Sequence, residues 1–201
     1  MILLDSVLGL PREVFPKNKS LYDLMVRAHR FSQDGKKFGA KTADAFFAQF
    51  LENSRSPTPR RECEVKANAV SVFQRIPFQR NIGVGTFRSW SELGSTQQKW
   101  FSLWPIDDAD KPGPWVFEAY PTHFWKTIIR SNKRDPSILK EVLSTQKHLK
   151  LHSSVFKSLT NPDMCDAIVL AYSGFVLHKR KKLFVQPRST SPKKEGWILG
   201  I

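Results

Sequence analysis

Apolar positions in this chain change their spacing several times, and each change marks an expected element. The run Ile2-Leu3-Leu4 is continuous and ends in Asp5, which predicts a strand covered on both faces, either flanked by later strands or left at the sheet edge by the absence of a preceding part of the domain. Ser6 to Pro11 reads as a loop turned by Gly9 and Pro11. From Ser20 the period becomes helical: Leu21, Leu24, Met25 and Ala28 share a side, with Ser20 as cap and Asp23 three residues on. A second helix is expected from a Thr42 cap, with Ala43, Phe46, Phe47, Phe50 and Leu51 as its apolar stripe and Ser56-Pro57-Thr58-Pro59 as its end. The phenylalanine stripe reads as core. Arg60 to Phe73 has a helical or mixed pattern. Gly83-Val84-Gly85-Thr86 predicts a tight turn leading into a helix around Trp90 to Leu93.

The second half follows the same logic. Trp115, Val116 and Phe117 predict a short strand that delivers Glu118 at its end, because Gly113-Pro114 punctuates the entry and Pro121 blocks further pairing. Before it, Asp107, Asp108 and Asp110 read as a solvated turn. Helices are expected from a Thr122 cap through Ile129, from Pro136 to about Leu149, and from the strong start Asn161-Pro162-Asp163 through Val176, the last apolar on most sides. Leu183-Phe184-Val185 and Gly196 to Gly200 predict short extended segments. Strands alternating with helices make the class α/β, and the length suits a single domain, residues 1–201, with a helical insertion over about residues 20–100.

Charge then narrows the function. Lys and Arg number 32 against 18 Asp and Glu, a formal net charge of +14, which favours a polyanionic partner, nucleic acid foremost. The basic run Lys179, Arg180, Lys181, Lys182 and the pair Arg75 and Arg80 are the candidate backbone contacts. Two cysteines, Cys63 and Cys165, form no framework and read as reduced intracellular thiols. The N-terminal segment lacks a basic leader, and no apolar run reaches the length of a membrane span, so a soluble, cytoplasmic protein without a membrane partner is expected. Gly83-Val84-Gly85-Thr86 lacks the lysine and third glycine of phosphate-binding loops.

Three acids stand out because each leaves an apolar element: Asp5, Glu118 and Asp166, the last beyond the first helical turn, where the helix dipole no longer explains it. Asp163 lies three residues earlier on the same face. Converging carboxylates of this kind suit two-metal phosphodiester cleavage, in which Mg²⁺ or Mn²⁺ ions activate water and stabilise the leaving oxygen. His123, just after Pro121, is a weaker candidate.

Four motifs in order carry a resemblance to a known family. Leu4-Asp5-Ser6-Val7-Leu8-Gly9-Leu10-Pro11, Glu118-Ala119-Tyr120-Pro121, Asp163 with Asp166-Ala167, and Glu195-Gly196-Trp197-Ile198 resemble the signatures of the DUF429 family, a group of predicted nucleases. The resemblance implies a ribonuclease H-like mixed sheet flanked by helices and a Mg²⁺- or Mn²⁺-dependent nuclease. Asp5, Glu118 and Asp166 would be its catalytic acids, and Asp163 would join them as a metal ligand. The chain departs from the family in two ways. Ser6-Val7 replaces its Ala-Pro, and its opening strand with a Gly-x-Asp has no counterpart here, so an N-terminally truncated fold is expected. Three readings stay open: a nuclease, active or degenerate, a noncatalytic nucleic-acid- or protein-binding module on the same fold, and a truncated product with no independent function. The sequence does not separate RNA from DNA and carries no oligomeric signature.

Overall fold

The computed structural model describes residues 1–52, 54–74, 81–95, 100–146, 149, 152–188 and 192–201. The chain divides into two compact units, one made of Met1–Glu118 with Phe184–Ile201 and one of Ala119–Leu183.

The first unit holds a three-stranded sheet of β1 (Ile2–Leu4), β2 (Ser102–Trp104) and β3 (Trp115–Glu118), with β3 in the centre. Both pairings are parallel, with Leu4 opposite Glu118 and Trp104 opposite Phe117. The sheet is therefore α/β in character, but parallel where a mixed sheet is expected from the resemblance. Among the described strands β1 lies at the edge, and its residues are only half-buried. The apolar run forecasts its conformation, and a second neighbour for it is not among the described strands.

Alternation along β3 sends Val116 to one face and Phe117 to the other. On the Val116 side the core is built by α1 (Leu21–Phe31), α2 (Ala40–Ala48) and α4 (Asn81–Gly94), whose Leu24, Met25, Phe46, Phe47, Phe87 and Trp90 pack with Leu103 and Val116. Phe46 meets Phe47, Phe50 and Trp90 edge to face, the arrangement the ring quadrupoles prefer. The phenylalanine stripe is core, and the helical stretch shares one core with the strands.

Local chemistry explains most boundaries. Ser20 and Asp23 close a reciprocal capping box at the start of α1. α2 begins a turn earlier than its expected Thr42 cap, after Gly39 and with no side-chain cap, because Ala40 extends a helix readily. The expected turn at Gly83 to Thr86 is instead helical, part of α4. Its glycines cost helix propensity, about 1 kcal/mol each relative to alanine. Burial of Phe87 and Trp90, a hydrogen bond from Trp90 Nε1 to the Val7 carbonyl and one from the Val7 amide to Thr86 Oγ1 override that cost. α3 (Glu62–Ala67) completes the unit's main helices, and the short α9 (Pro192–Glu195) precedes the tail.

Two tail expectations change. Leu183 to Val185 forms no ladder; Phe184 packs its ring edge-on to Trp115 at 5.0 Å instead. Gly196 to Gly200 contributes a single parallel bridge, Ile198 to Glu118, because Gly196 and Gly200 turn out of extended backbone at φ values of +72° and +87°.

The expected solvated turn after β2 is also anchored. Asp107 is buried, accepting from the Leu103 amide at 2.8 Å, from Lys111 Nζ at 2.6 Å and from the Tyr22 hydroxyl. Burial works against its charge, but the Lys111, Tyr22 and Leu103 donors outweigh it and hold the carboxyl below its usual range. A depressed carboxyl contributes stability above its unfolded pKa of about 3.9 and loses it as pH falls toward the folded value. Lowering the pH from 5 to 3 is therefore expected to reduce the melting temperature of the native protein more than that of Asp107→Asn. Equal losses in the two proteins would remove Asp107 from the acid response.

The second unit comprises α5 (Pro121–Phe124), a π turn (Trp125–Ile129), α6 (Pro136–Ser144), α7 (Ser153–Ser158) and α8 (Pro162–Lys179). Pro121 opens α5 at its first position after Tyr120, so Thr122 lies inside the helix rather than at its cap. The π turn ends at Arg130 in left-handed backbone, φ +63°. α6 stops five residues short of Leu149. α8 starts as expected, with Asn161 Oδ1 accepting from the Asp163 and Met164 amides. Its buried residues, Cys165, Val169, Ser173 and Leu177 with Leu170 and Gly174, form one stripe, so the helix is less deeply packed than its composition suggests.

Candidate functional site

β3 ends in Glu118 because an apolar strand core needs no charge until the chain leaves it. Parallel pairing sets Leu4 opposite Glu118, so Asp5 follows just beyond that position in the first unit. The two acids differ in surroundings: Asp5 is exposed, whereas Glu118 is 3% exposed. Glu118 does not meet its charge with solvent. Its Oε2 accepts from Arg61 Nη1 and from the Leu8 amide, both at 2.7 Å, and its Oε1 accepts from Arg61 Nη2.

Arg61 is the residue that sequence reasoning missed. It is fully buried at the start of α3 and directs four N–H bonds at its surroundings. Two go to Glu118 as a fork, one from Nε to Glu64 Oε1 at 2.9 Å, and one from Nη1 to the Glu195 carbonyl at 3.3 Å. Its backbone amide donates to Glu64 Oε2 at 2.9 Å. Glu195 in turn accepts from the Arg12 amide at 2.8 Å and weakly from the Glu62 amide. One guanidinium thus joins α3, the end of β3 and the tail, while the Leu8 and Arg12 amides tie the loop after β1 to Glu118 and Glu195. The spacing Arg61-x-x-Glu64 was the available signal, but a basic residue in an Arg-Arg-Glu run reads as surface until its partners are known.

The electrostatics follow from burial. For Arg61 burial alone would favour the neutral form, but the adjoining Cys63, Glu118 and Glu64 outweigh it and raise its pKa well above its usual value. Glu64 is pushed up by burial, and Arg61 pulls it back. The Cys63 thiol beside them is pushed up to about 12, chiefly by burial, which keeps it protonated and unreactive.

Asp166 belongs to the second unit. It faces neither an empty space nor another acid: Oδ1 accepts from Trp125 Nε1 and Oδ2 from Arg134 Nη1, each at 2.7 Å. Arg134 also donates to Thr122 Oγ1. Asp166 therefore ties α8 to the π turn and to the approach to α6, which explains an acid beyond the first turn of an apolar helix. Asp163, one turn earlier, is exposed. His123 packs edge-on against Phe124.

No protein-family model, curated protein or solved structure matches the chain. The DUF429 resemblance accordingly rests on its four short motifs and their order.

As placed, these donors do not fit the Mg²⁺ or Mn²⁺ ions that the resemblance implies. A hard divalent ion is drawn by carboxylate charge that no fixed cation already neutralises. Arg61 and Leu8 engage both oxygens of Glu118, and Trp125 and Arg134 engage both of Asp166. Among the described residues no three His, Cys, Asp or Glu side chains form a metal-holding group. Likewise, among those residues no helix is long and apolar enough to cross a membrane.

The basic run presents a different surface. Lys179 ends α8, Arg180 caps it, and Lys181 turns through left-handed backbone at φ +53° before Lys182. All four are exposed. Cations here also complement the negative end of the helix dipole, worth about 0.3–1 kcal/mol each at an exposed site. Arg75 and Arg80 lie outside the described residues.

Proposed function

We propose that the chain binds nucleic acid without cleaving it, on a ribonuclease H-like scaffold of the DUF429 type in which a site acid has become structural. The observation that carries this reading is the fork from Arg61 onto both oxygens of Glu118. It neutralises, inside the protein, the carboxylate that a two-metal nuclease would place against its ions. The α/β class, with an acid at the end of the central strand, is compatible with the scaffold, although the described pairings are parallel. The formal charge of +14 and the exposed run Lys179 to Lys182 support a polyanionic partner held by its phosphates.

Fluorescence anisotropy with labelled single- and double-stranded oligonucleotides tests it. Affinity is expected to fall steeply with salt and to be indifferent to EDTA, and Mn²⁺ is expected to leave the oligonucleotide intact. Reversing Arg180, Lys181 and Lys182 to Glu should weaken binding and flatten the log–log salt slope by about 0.9 for each duplex phosphate that the protein no longer neutralises. Cleavage that requires Mn²⁺ and disappears in Asp166→Asn would restore the nuclease reading. Binding unchanged by the charge reversal would remove the basic run from the interface.

A further inference from the structure

α8 carries an apolar face that its own unit leaves open. From Ala167 to Leu177 the helix has no charged residue. It turns its buried stripe to α5, α6 and the π turn. On the other side Met164, Ala167 and Ala171 are exposed, Met164 by 45%, and Ile168 and Phe175 are half-buried. At about 100° per residue these five side chains fall within roughly a third of the circumference. A surface helix ordinarily fills that side with polar and charged groups, and an apolar one marks an interaction surface.

The residue sizes favour another helix over a lipid surface. Alanines in the middle of the face have little to gain from an acyl layer, which rewards large apolar side chains, but they let two helix backbones approach closely. Charge then sets the orientation. Asp163 stands at one end of the face, and His178 and Lys179 stand at the other, with Lys179 Nζ 5.7 Å from the centre of the Phe175 ring. Two such helices side by side and parallel would superpose their basic runs, Lys179 to Lys182. An antiparallel pair centred near Ala171 holds those runs roughly 24 Å apart, about three Debye lengths at physiological salt. Asp163 and His178 lie on the same flank of the face, so a two-fold rotation brings Asp163 of each copy beside His178 of the other. The aligned helix dipoles are then opposed as well. One sequence satisfies both ends at once, which is the condition for isologous pairing.

We propose that two copies of this chain pair through this face of α8, antiparallel across a two-fold axis near Ala171. The inference does not rest on the nucleic-acid reading, and either can fail without the other.

Sedimentation velocity over rising concentrations of the full chain tests the pairing. The mass is expected to climb from the 23.1 kDa of one chain toward twice that value. Ala171→Glu, a change at an exposed helical position, should leave the circular dichroism unchanged and hold the chain at the single mass. Cross-linking under diamide reads the orientation. Ala171→Cys should join to its own copy, whereas Met164→Cys, displaced from its counterpart by about 21 Å along the helix, should not. Cys63 and Cys165 are buried, so the unsubstituted chain supplies the background. A single mass at every concentration, a dimer untouched by Ala171→Glu, or Met164→Cys cross-linking as readily as Ala171→Cys would each overturn the proposal. A chain that stays at the single mass and floats with vesicles of phosphatidylcholine and phosphatidylserine would overturn it in favour of a lipid surface.

Discussion

Replacing Arg61 by Ala is expected to destabilise the first unit by about 3–5 kcal/mol, because it strands carboxylates that have no solvent to turn to. Glu118 would keep only the Leu8 amide, and Glu64 would lose its side-chain partner while staying buried. A change of this size corresponds to a fall of roughly 6–20 °C in melting temperature for a chain of this length. Urea unfolding followed by tryptophan fluorescence would read it as a shift in midpoint. Glu118→Gln should also destabilise, since its amide group would point N–H bonds at a guanidinium that has none to receive. Combining Arg61→Met with Glu118→Gln should cost clearly less than the two separate changes added, the mark of a coupled pair. A loss below about 0.5 kcal/mol for Arg61→Ala would mean that water reaches the network and that Arg61 is not what holds Glu118.

Gly196→Ala should be comparably severe for a different reason. Gly196 has φ +72°, a region that costs most other residues about 1–2 kcal/mol, and a Cβ there would stand 1.9 Å from the Leu8 carbonyl oxygen. The same approach is tight from the other side, where a Cβ on Gly9 would stand 1.6 Å from the Glu195 oxygen. Two backbone segments meet with no side chain between them, and neither can recede without disturbing the Arg61 bond to that same Glu195 carbonyl. Strain and overlap together predict a loss of about 3 kcal/mol or more, measurable as a lower urea midpoint and reduced soluble yield. A Gly196→Ala protein as stable as the native one would show that the tail can lift from the loop after β1.

Much of the fold was legible because local chemistry and tertiary packing agreed. The Ser20 and Asp23 box, the Asn161-Pro162 start and the Trp115 to Glu118 strand each carry their own stop and start signals. Where packing overruled propensity the sequence misled. Gly83 and Gly85 signal a turn, yet the partners of Val7 and the burial of Trp90 make them helical. Asp107 looked like one of three solvated acids, and its burial and its bond with Tyr22, distant in sequence, distinguish it.

The candidate site was legible in its acids and illegible in their roles. Glu118 and Asp166 are both unusual acids, as their apolar surroundings suggested, but what each meets is an arginine: Arg61 for one and Arg134 for the other. Charge partners separated by tens of residues leave no periodicity to read.

The tail's grip on the loop after β1 also bears on how the protein is made. The first unit is discontinuous, with Ala119–Leu183 inserted between Glu118 and Phe184. Synthesis therefore delivers Arg61 and Glu118 long before Glu195 and Ile198, the residues that complete the guanidinium shell and extend pairing at Glu118. A ribosome adding about 5–20 residues per second leaves that unit open for seconds while the inserted helices emerge. During that interval the sheet lacks its bridge at Ile198, and the nascent chain should resist protease fully only after Glu195 and Ile198 have cleared the exit tunnel.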